Sequence, residues 1–297
     1  MSPAVADART ASVRAADGRT LQTYAAGAPD GQLVIVHHGT PCSGTLAGWW
    51  ASDAAARGIK LVGYDRPGYG GSTRHPGRTV ADAAADTATI ADAFGAERFR
   101  TWGVSGGGPH ALACAALLPD RVVAAASLAG VAPYDADGLD YLAGMGQDNV
   151  DEFGAAVEGE AALRPFLSAA REGVLSSKPD TLAEGMRSIL PDADVAVMTG
   201  AMADFLHQWM TSGQRDSCDG WLDDDLAFVA NWGFRLEDIQ VPVLLRQGRL
   251  DLMVPYAHGE WLAAHLPAAE TRLTDDDGHV TLISDLGPVH DWLLRQA

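Results

Sequence analysis

Residues Arg98 to Leu118 read R-F-R-T-W-G-V-S-G-G-G-P-H-A-L-A-C-A-A-L-L, and this stretch decides the fold. It opens with alternating residues of strand type, passes through Gly103-Val104-Ser105-Gly106-Gly107, and closes in an apolar, alanine-rich run of helical composition. A strand that turns sharply into a helix crowds its own backbone, so the positions two before and two after the tip must lack side chains. Gly103 and Gly107 meet that demand and leave Ser105 at the tip. The following helix points its free N–H groups at whatever binds there. A glycine-flanked serine is weak evidence in isolation; the strand before and the helix after are what a flexible glycine loop lacks.

Outward from this stretch the same alternation continues. Upstream, short strands at Ser12–Arg14 and Leu21–Tyr24 flank the turn Ala16-Asp17-Gly18. Leu33–Val36 is a continuous apolar run, the signature of a strand buried on both faces. A helix near Leu46–Arg57, a strand at Ile59–Tyr64 and a helix over Thr79–Phe94 follow, with a Gly- and Pro-punctuated loop at Asp65–Ser72 between the last two. Downstream come a strand at Val122–Leu128 and, later, a strand at Val241–Arg246, a helix at Tyr256–Leu266, a strand at Glu270–Leu273 and a closing helix at Gly287–Arg295. Strands alternating with helices predict an α/β fold with a mostly parallel, doubly wound sheet.

One segment breaks the pattern. From Tyr134 to Arg235 there is no convincing buried strand, only short helical stretches interrupted at Gly and Pro. It carries 19 Asp and Glu against 6 Arg and Lys, a net −13 of the chain's −18, and five of its seven methionines. Val195, Met198, Met202, Phe205 and Trp209 recur at helical spacing. Such a face packs on the sheet, lines an apolar pocket, or does both, since Met and aromatic side chains adapt to irregular ligands. Met198, Met202, Phe205 and Trp209 are the candidate substrate-binding residues. The expected division is a core of residues 1–132 and 236–297 with a helical insertion over 133–235.

The totals exclude several classes. At 297 residues, 47% hydrophobic and 20% charged, the chain can bury one large core. The charge of −18 argues against nucleic-acid binding, because phosphates would be repelled over most of the surface. Cys42, Cys114 and Cys218 are too scattered for a disulfide framework or a metal knuckle, so neither metal nor cofactor is expected. Met1 to Gly18 lacks the charged start and apolar centre of an export signal, and no apolar run approaches the ~18 residues of a membrane span. The expectation is a cytoplasmic enzyme of a small-molecule substrate.

A serine hydroxyl needs a base to take its proton, and the base needs a carboxylate to hold its tautomer. Loops after parallel strands emerge at one edge of the sheet, so residues distant in sequence converge there. Asp251 follows the strand at Val241–Arg246, and His279 follows the last strand through Asp275-Asp276-Asp277-Gly278. His258, His265 and His290 fall on helices, where packing is their ordinary role. Asp135 rivals Asp251, and Asp251 is favoured. Asp65 sits in a turn-rich loop and reads as structural, while Cys42 reads as a small lining residue. An attacked acyl carbon also needs N–H donors for its oxyanion. Gly106, the residue after the serine, supplies one, and Thr40, after His38-Gly39, is placed for the other.

These motifs together resemble the α/β-hydrolase superfamily over almost the whole chain: His38–Pro41, Asp65–Ser72, the turn at Ser105, Gly248–Pro255 and Gly278-His279. The resemblance implies that the helical insertion is a cap above Ser105. Epoxide hydrolases and haloalkane dehalogenases of this superfamily carry aspartate where Ser105 stands, which argues against those activities. The layout is similar to the proline iminopeptidase group but departs at His38-Gly39-Thr40-Pro41, where that group has H-G-G-P-G. The leading expectation is a serine hydrolase of neutral or cationic, largely hydrophobic carboxylic esters, lactones or thioesters. An aminopeptidase, a C–C bond hydrolase, a non-hydrolytic lyase or cyclase, and a ligand receptor are the alternatives.

Overall fold

The computed structural model describes residues 4–297. Residues 1–3, which begin both the 1–132 segment and the stretch read for an export signal, lie outside the described residues. An eight-stranded sheet runs in the order β1-β2-β4-β3-β5-β6-β7-β8. Its strands are β1 (Arg9–Arg14), β2 (Thr20–Gly27), β3 (Gln32–His37), β4 (Ile59–Tyr64), β5 (Phe99–Val104), β6 (Val122–Leu128), β7 (Val243–Gly248) and β8 (Ala269–Thr274). The β1 and β2 pairings are antiparallel and those from β4 through β8 are parallel. Every residue of β6 is buried, as a strand covered on both faces requires.

Helices α1 (Gly48–Ala56), α2 (Ala83–Ala93), α3 (Gly107–Leu117), α10 (Tyr256–His265) and α11 (Gly287–Arg295) flank the sheet. Strand β7 starts at Val243 rather than Val241, because Pro242 has no N–H to give to a ladder. Between β6 and β7 the described chain is helical: α4 (Gln147–Glu158), α5 (Glu160–Ser176), α6 (Leu182–Gly185), α7 (Asp192–Val197), α8 (Ala201–Gly213) and α9 (Asp219–Val229). The helical period through Val195 and Trp209 is not one helix. Gly200, at φ +53°, turns the backbone into the left-handed region and separates α7 from α8. Among the described residues no helix is long and apolar enough to cross a membrane.

Two of the interactions that tie the insertion to the sheet and its loops bear on its position. The first is apolar. Phe205 and Trp209 of α8 pack edge-on against Trp50 of α1, with ring centroids 5.1 and 5.7 Å away, and Trp50 packs at 5.3 Å on Trp102 of β5. The second is ionic. Helix α9 carries Asp223-Asp224-Asp225 inside the apolar run W-L-D-D-D-L-A-F-V, and all three are buried. Successive residues of a helix point about 100° apart, so three adjacent acids meet three different surroundings. Asp223 pairs with Arg74 at 2.8 Å. Asp224, fully buried, accepts from Arg66 at 2.5 Å, Arg78 at 2.6 Å, Thr40 Oγ1 at 2.6 Å and the Tyr69 hydroxyl at 2.8 Å. Burial opposes its charge, but the two guanidinium groups outweigh it and hold the carboxyl well below the usual range.

Asp224→Asn leaves Arg66 and Arg78 buried without a counter-charge. We expect a loss of about 3–5 kcal/mol of unfolding free energy, measured by denaturant titration. A loss below about 1 kcal/mol would show that water enters and the cluster is dispensable.

Candidate active site

The turn at Ser105 has the crowding that its glycines imply. Ser105 lies at φ +54°, its N–H donates to Leu128 O at 2.8 Å and its carbonyl accepts from Gly108 N at 2.8 Å. A Cβ on Gly103 would overlap the Gly107 carbonyl, and one on Gly107 would overlap the carbonyl of His37. No side chain fits at either position. The loop after β3 closes over the turn: a Cβ on Gly39 would sit 3.4 Å from Ser105 Cβ, and one on Gly106 would overlap Thr40 Oγ1. Gly39 therefore lies against Ser105, and the Thr40 side chain lies against Gly106.

On the other side, His279 Nδ1 faces Asp251 Oδ2 at 2.8 Å. The carboxylate is held from behind. Its Oδ1 accepts from the N–H groups of Met253 and Val254 at 2.8 and 2.9 Å, and its Oδ2 also accepts from Gln247 Nε2 at 3.1 Å. A carboxylate with these partners takes its bond from Nδ1–H, which leaves His279 Nε2 as the unprotonated nitrogen. Burial works against the imidazolium, but the charge and hydrogen bond of Asp251, with the charge of Asp194 added, outweigh it. The His279 pKa is raised above the ordinary histidine value.

Ser105, Gly106, Thr40 and His279 line one cavity of about 570 Å³. Its wall is mostly apolar and includes Val131, Phe153, Phe166 and Met186. Among the described residues no group of three or more His, Cys, Asp or Glu is arranged to hold a metal ion.

A family model described as alpha/beta hydrolase fold matches residues 32–162. The chain is 27% identical to a non-heme chloroperoxidase of Streptomyces lividans over 272 residues, covering 87% of this chain and 88% of that one. An alpha/beta hydrolase fold protein from Nakamurella multipartita superposes with a TM-score of 0.65 at 26% identity, covering 97% and 99% of the two chains. The esterase RhEst1 from Rhodococcus sp. ECU1013 superposes at 0.66 with 17% identity, covering 97% and 99%. The chain has the alpha/beta hydrolase fold.

Within this hydrolase fold the remaining candidate residues divide. Met198 and Trp209 line the cavity. Met202 and Phe205 do not. Phe205 is fully buried between Trp49, Trp50 and Trp209, so its face of α8 serves the core, and half-buried Met202 packs against the same cluster. Asp135 is exposed and makes no contact with His279. Asp65 is structural: its carboxylate accepts from Gly44 N at 2.7 Å, Gly71 N at 2.9 Å and the Tyr24 hydroxyl at 3.0 Å. His38 shapes the loop, with Nδ1 on Gly39 O at 2.8 Å and Nε2 accepting from Arg66 N at 3.1 Å; burial holds its pKa well below the ordinary value. Cys42 lines the cavity, and burial pushes its thiol up, away from nucleophilic use.

Asp194 of α7 is a residue that the sequence did not disclose. Its buried carboxylate accepts from the backbone N–H groups of His279 at 2.7 Å and of Val280 and Thr281 at 2.9 Å each. A side chain of the insertion thus holds the loop that carries the histidine. Gly278 has room for nothing more, since a Cβ there would overlap the Asp194 carboxylate. In Asp194→Asn the loop loses part of its acceptor set and His279 loses a nearby negative charge. The imidazole should then titrate at lower pH than in the wild type, read by NMR of the His279 ring. An unchanged titration would reduce Asp194 to a strut with no electrostatic part in the site.

Proposed function

We propose that the protein is a serine hydrolase that cleaves small, largely hydrophobic, neutral or cationic carboxylic esters, lactones or thioesters through an acyl-enzyme. The observation that carries this reading is the His279–Asp251 bond, which leaves the base nitrogen of His279 free in a cavity that Ser105 also lines. Ser105 Oγ attacks the acyl carbon while His279 Nε2 takes its proton, and Asp251 stabilises the imidazolium. The oxyanion of the tetrahedral intermediate is received by the N–H groups of Gly106 and Thr40, an effect of order 3 kcal/mol per donor. Collapse breaks the bond to the leaving oxygen or sulfur, which departs with the proton from His279. A water molecule, deprotonated by the same nitrogen, then attacks the acyl-enzyme and releases the acid. Residues 133–235 act as the lid of this site, over a core of residues 1–132 and 236–297.

Ser105→Ala should abolish labelling by a fluorophosphonate probe and lower p-nitrophenyl ester turnover by roughly 10⁶. Asp251→Asn should cost roughly 10⁴, because the imidazole is then held in the wrong tautomer, and Asp135→Asn should cost little. Labelling at another serine, or a larger loss at Asp135 than at Asp251, would overturn the assignment. Because neutral His279 is the base and its pKa is raised, kcat/KM should rise with pH through a value above that of an ordinary histidine.

The charge of the insertion bears on the substrate. Thirteen of its 19 acids are exposed, so most of the charge is on the outer face of the lid. Acidic substrates must approach against this potential, which salt screens. For a matched pair of esters, one neutral and one with a remote carboxylate, the preference for the neutral one should shrink from low to high ionic strength. A ratio that ignores salt would leave the outer charge without a role in selection.

A further inference from the structure

The third acid of α9 points where neither Asp223 nor Asp224 does. Asp225 is 1% exposed and lines the cavity; its Oδ2 receives no N–H or hydroxyl hydrogen bond from the described residues, and its carboxyl bonds only to that of Glu152. Across from it on α4 stands Glu152, half-buried, lining the same cavity and accepting from Trp221 Nε1 at 2.7 Å. Arg66 and Arg78, the guanidinium groups nearest in the fold, are engaged by Asp224. No Lys or Arg lines the cavity, and neither Asp225 nor Glu152 has an ion pair among the described residues. Two carboxyl groups without a cation in a mostly apolar chamber cannot both be charged cheaply, and the charge that remains on the pair is stabilised by a ligand cation.

We propose that Glu152 and Asp225 form a recognition site for the ammonium group of an amine-bearing, otherwise apolar substrate. It deepens the reading of Ser105 as nucleophile and rests on it for the word substrate, while the binding site itself stands on the geometry. Burial raises both carboxyl pKa values; the charge of Glu152 and the hydrogen bond between the two carboxyls raise Asp225 further, whereas the Trp221 indole N–H and that same bond favour the charged form of Glu152. One proton shared between them leaves a single negative charge, which matches a single ammonium. The ammonium N–H groups then meet the carboxyl oxygens of the pair, among them Asp225 Oδ2, which receives no N–H from the described residues. The exposed Asp148, which also lines the cavity, adds negative potential on the α4 side. The aromatic and aliphatic wall receives the rest of the molecule.

The experiment compares n-hexylammonium with 1-hexanol, which have equal length and differ in the charged head, by calorimetric titration of the full chain. Charge-assisted hydrogen bonds favour the ammonium by about ten- to hundredfold. In the double variant E152Q/D225N, which removes the shared charge, the ratio should fall toward unity, with the hexanol affinity reporting that the chamber is still formed. Equal binding of the two compounds by the wild type overturns the proposal without recourse to any variant. So does an undiminished ratio in the double variant. Turnover plays no part in this measurement: if Ser105 fails to react with a fluorophosphonate, the hydrolase reading falls and the ammonium site stands, and the reverse holds if Ser105 reacts but the ratio is unity.

Discussion

The buried carboxylate of Asp224 is the interaction on which the arrangement of the site depends. It sits on a helix of the insertion, yet its partners are Arg66 and Tyr69 from the loop after β4, Arg78 before α2, and Thr40 of the loop that closes over Ser105. A charge in this position cannot be left alone, because removing it from water costs several kcal/mol that only close partners offset. The guanidinium groups are in the same condition. The result is that α9, the loop after β3 and the Asp65–Ser72 loop have one low-energy arrangement in common. Arg66 extends the chain of dependence by donating to the His38 carbonyl, immediately upstream of Gly39 and Thr40.

Asp194 makes a matching contact at the other side of the site. There the insertion supplies acceptors, and the loop after β8 supplies three N–H groups that would otherwise be orphaned beside the histidine. Both contacts run from the insertion to a loop of the core, and both are polar and buried. Trp50, Phe205 and Trp209 add the apolar counterpart. Ridding α8 of its core face would therefore disturb the packing on the sheet as much as the insertion.

How much of this was legible follows from the range of each interaction. The turn at Ser105 is largely local: Gly103 is needed by the backbone four residues on, and although Gly107 is needed by the His37 carbonyl of β3, five letters and their flanks disclose the turn. Asp251 and His279 are far apart in sequence, but parallel strands carry their loops to one edge, and position after a strand stood in for distance. Asp194, Asp224, Asp225 and Glu152 gave no such signal, because their roles depend on which way a helix is rotated against a distant loop. The one hint was the acidic triplet within the apolar run from Trp221 to Val229. The apolar spacing from Val195 to Trp209 misled in a related way. Period reports that a face is apolar without saying whether it meets the core or a cavity, and it continued across Gly200, where the backbone did not.

The three consecutive acids show how one helix can hold and select at once. With a turn of 3.6 residues, Asp223, Asp224 and Asp225 divide the circumference of α9 among Arg74 at its edge, the Arg66–Arg78 cluster beneath it and the cavity beside it. Two of the three are neutralised by arginines, and those two fix the rotation of the helix. Because the rotation is fixed, the third cannot turn away from the cavity to find water or a cation elsewhere. Its exposure to ligand is a consequence of the pairing of its neighbours. Selectivity written into Asp225 and Glu152 is thus enforced by the same contacts that hold Thr40 against Gly106, and a change in one is felt in the other.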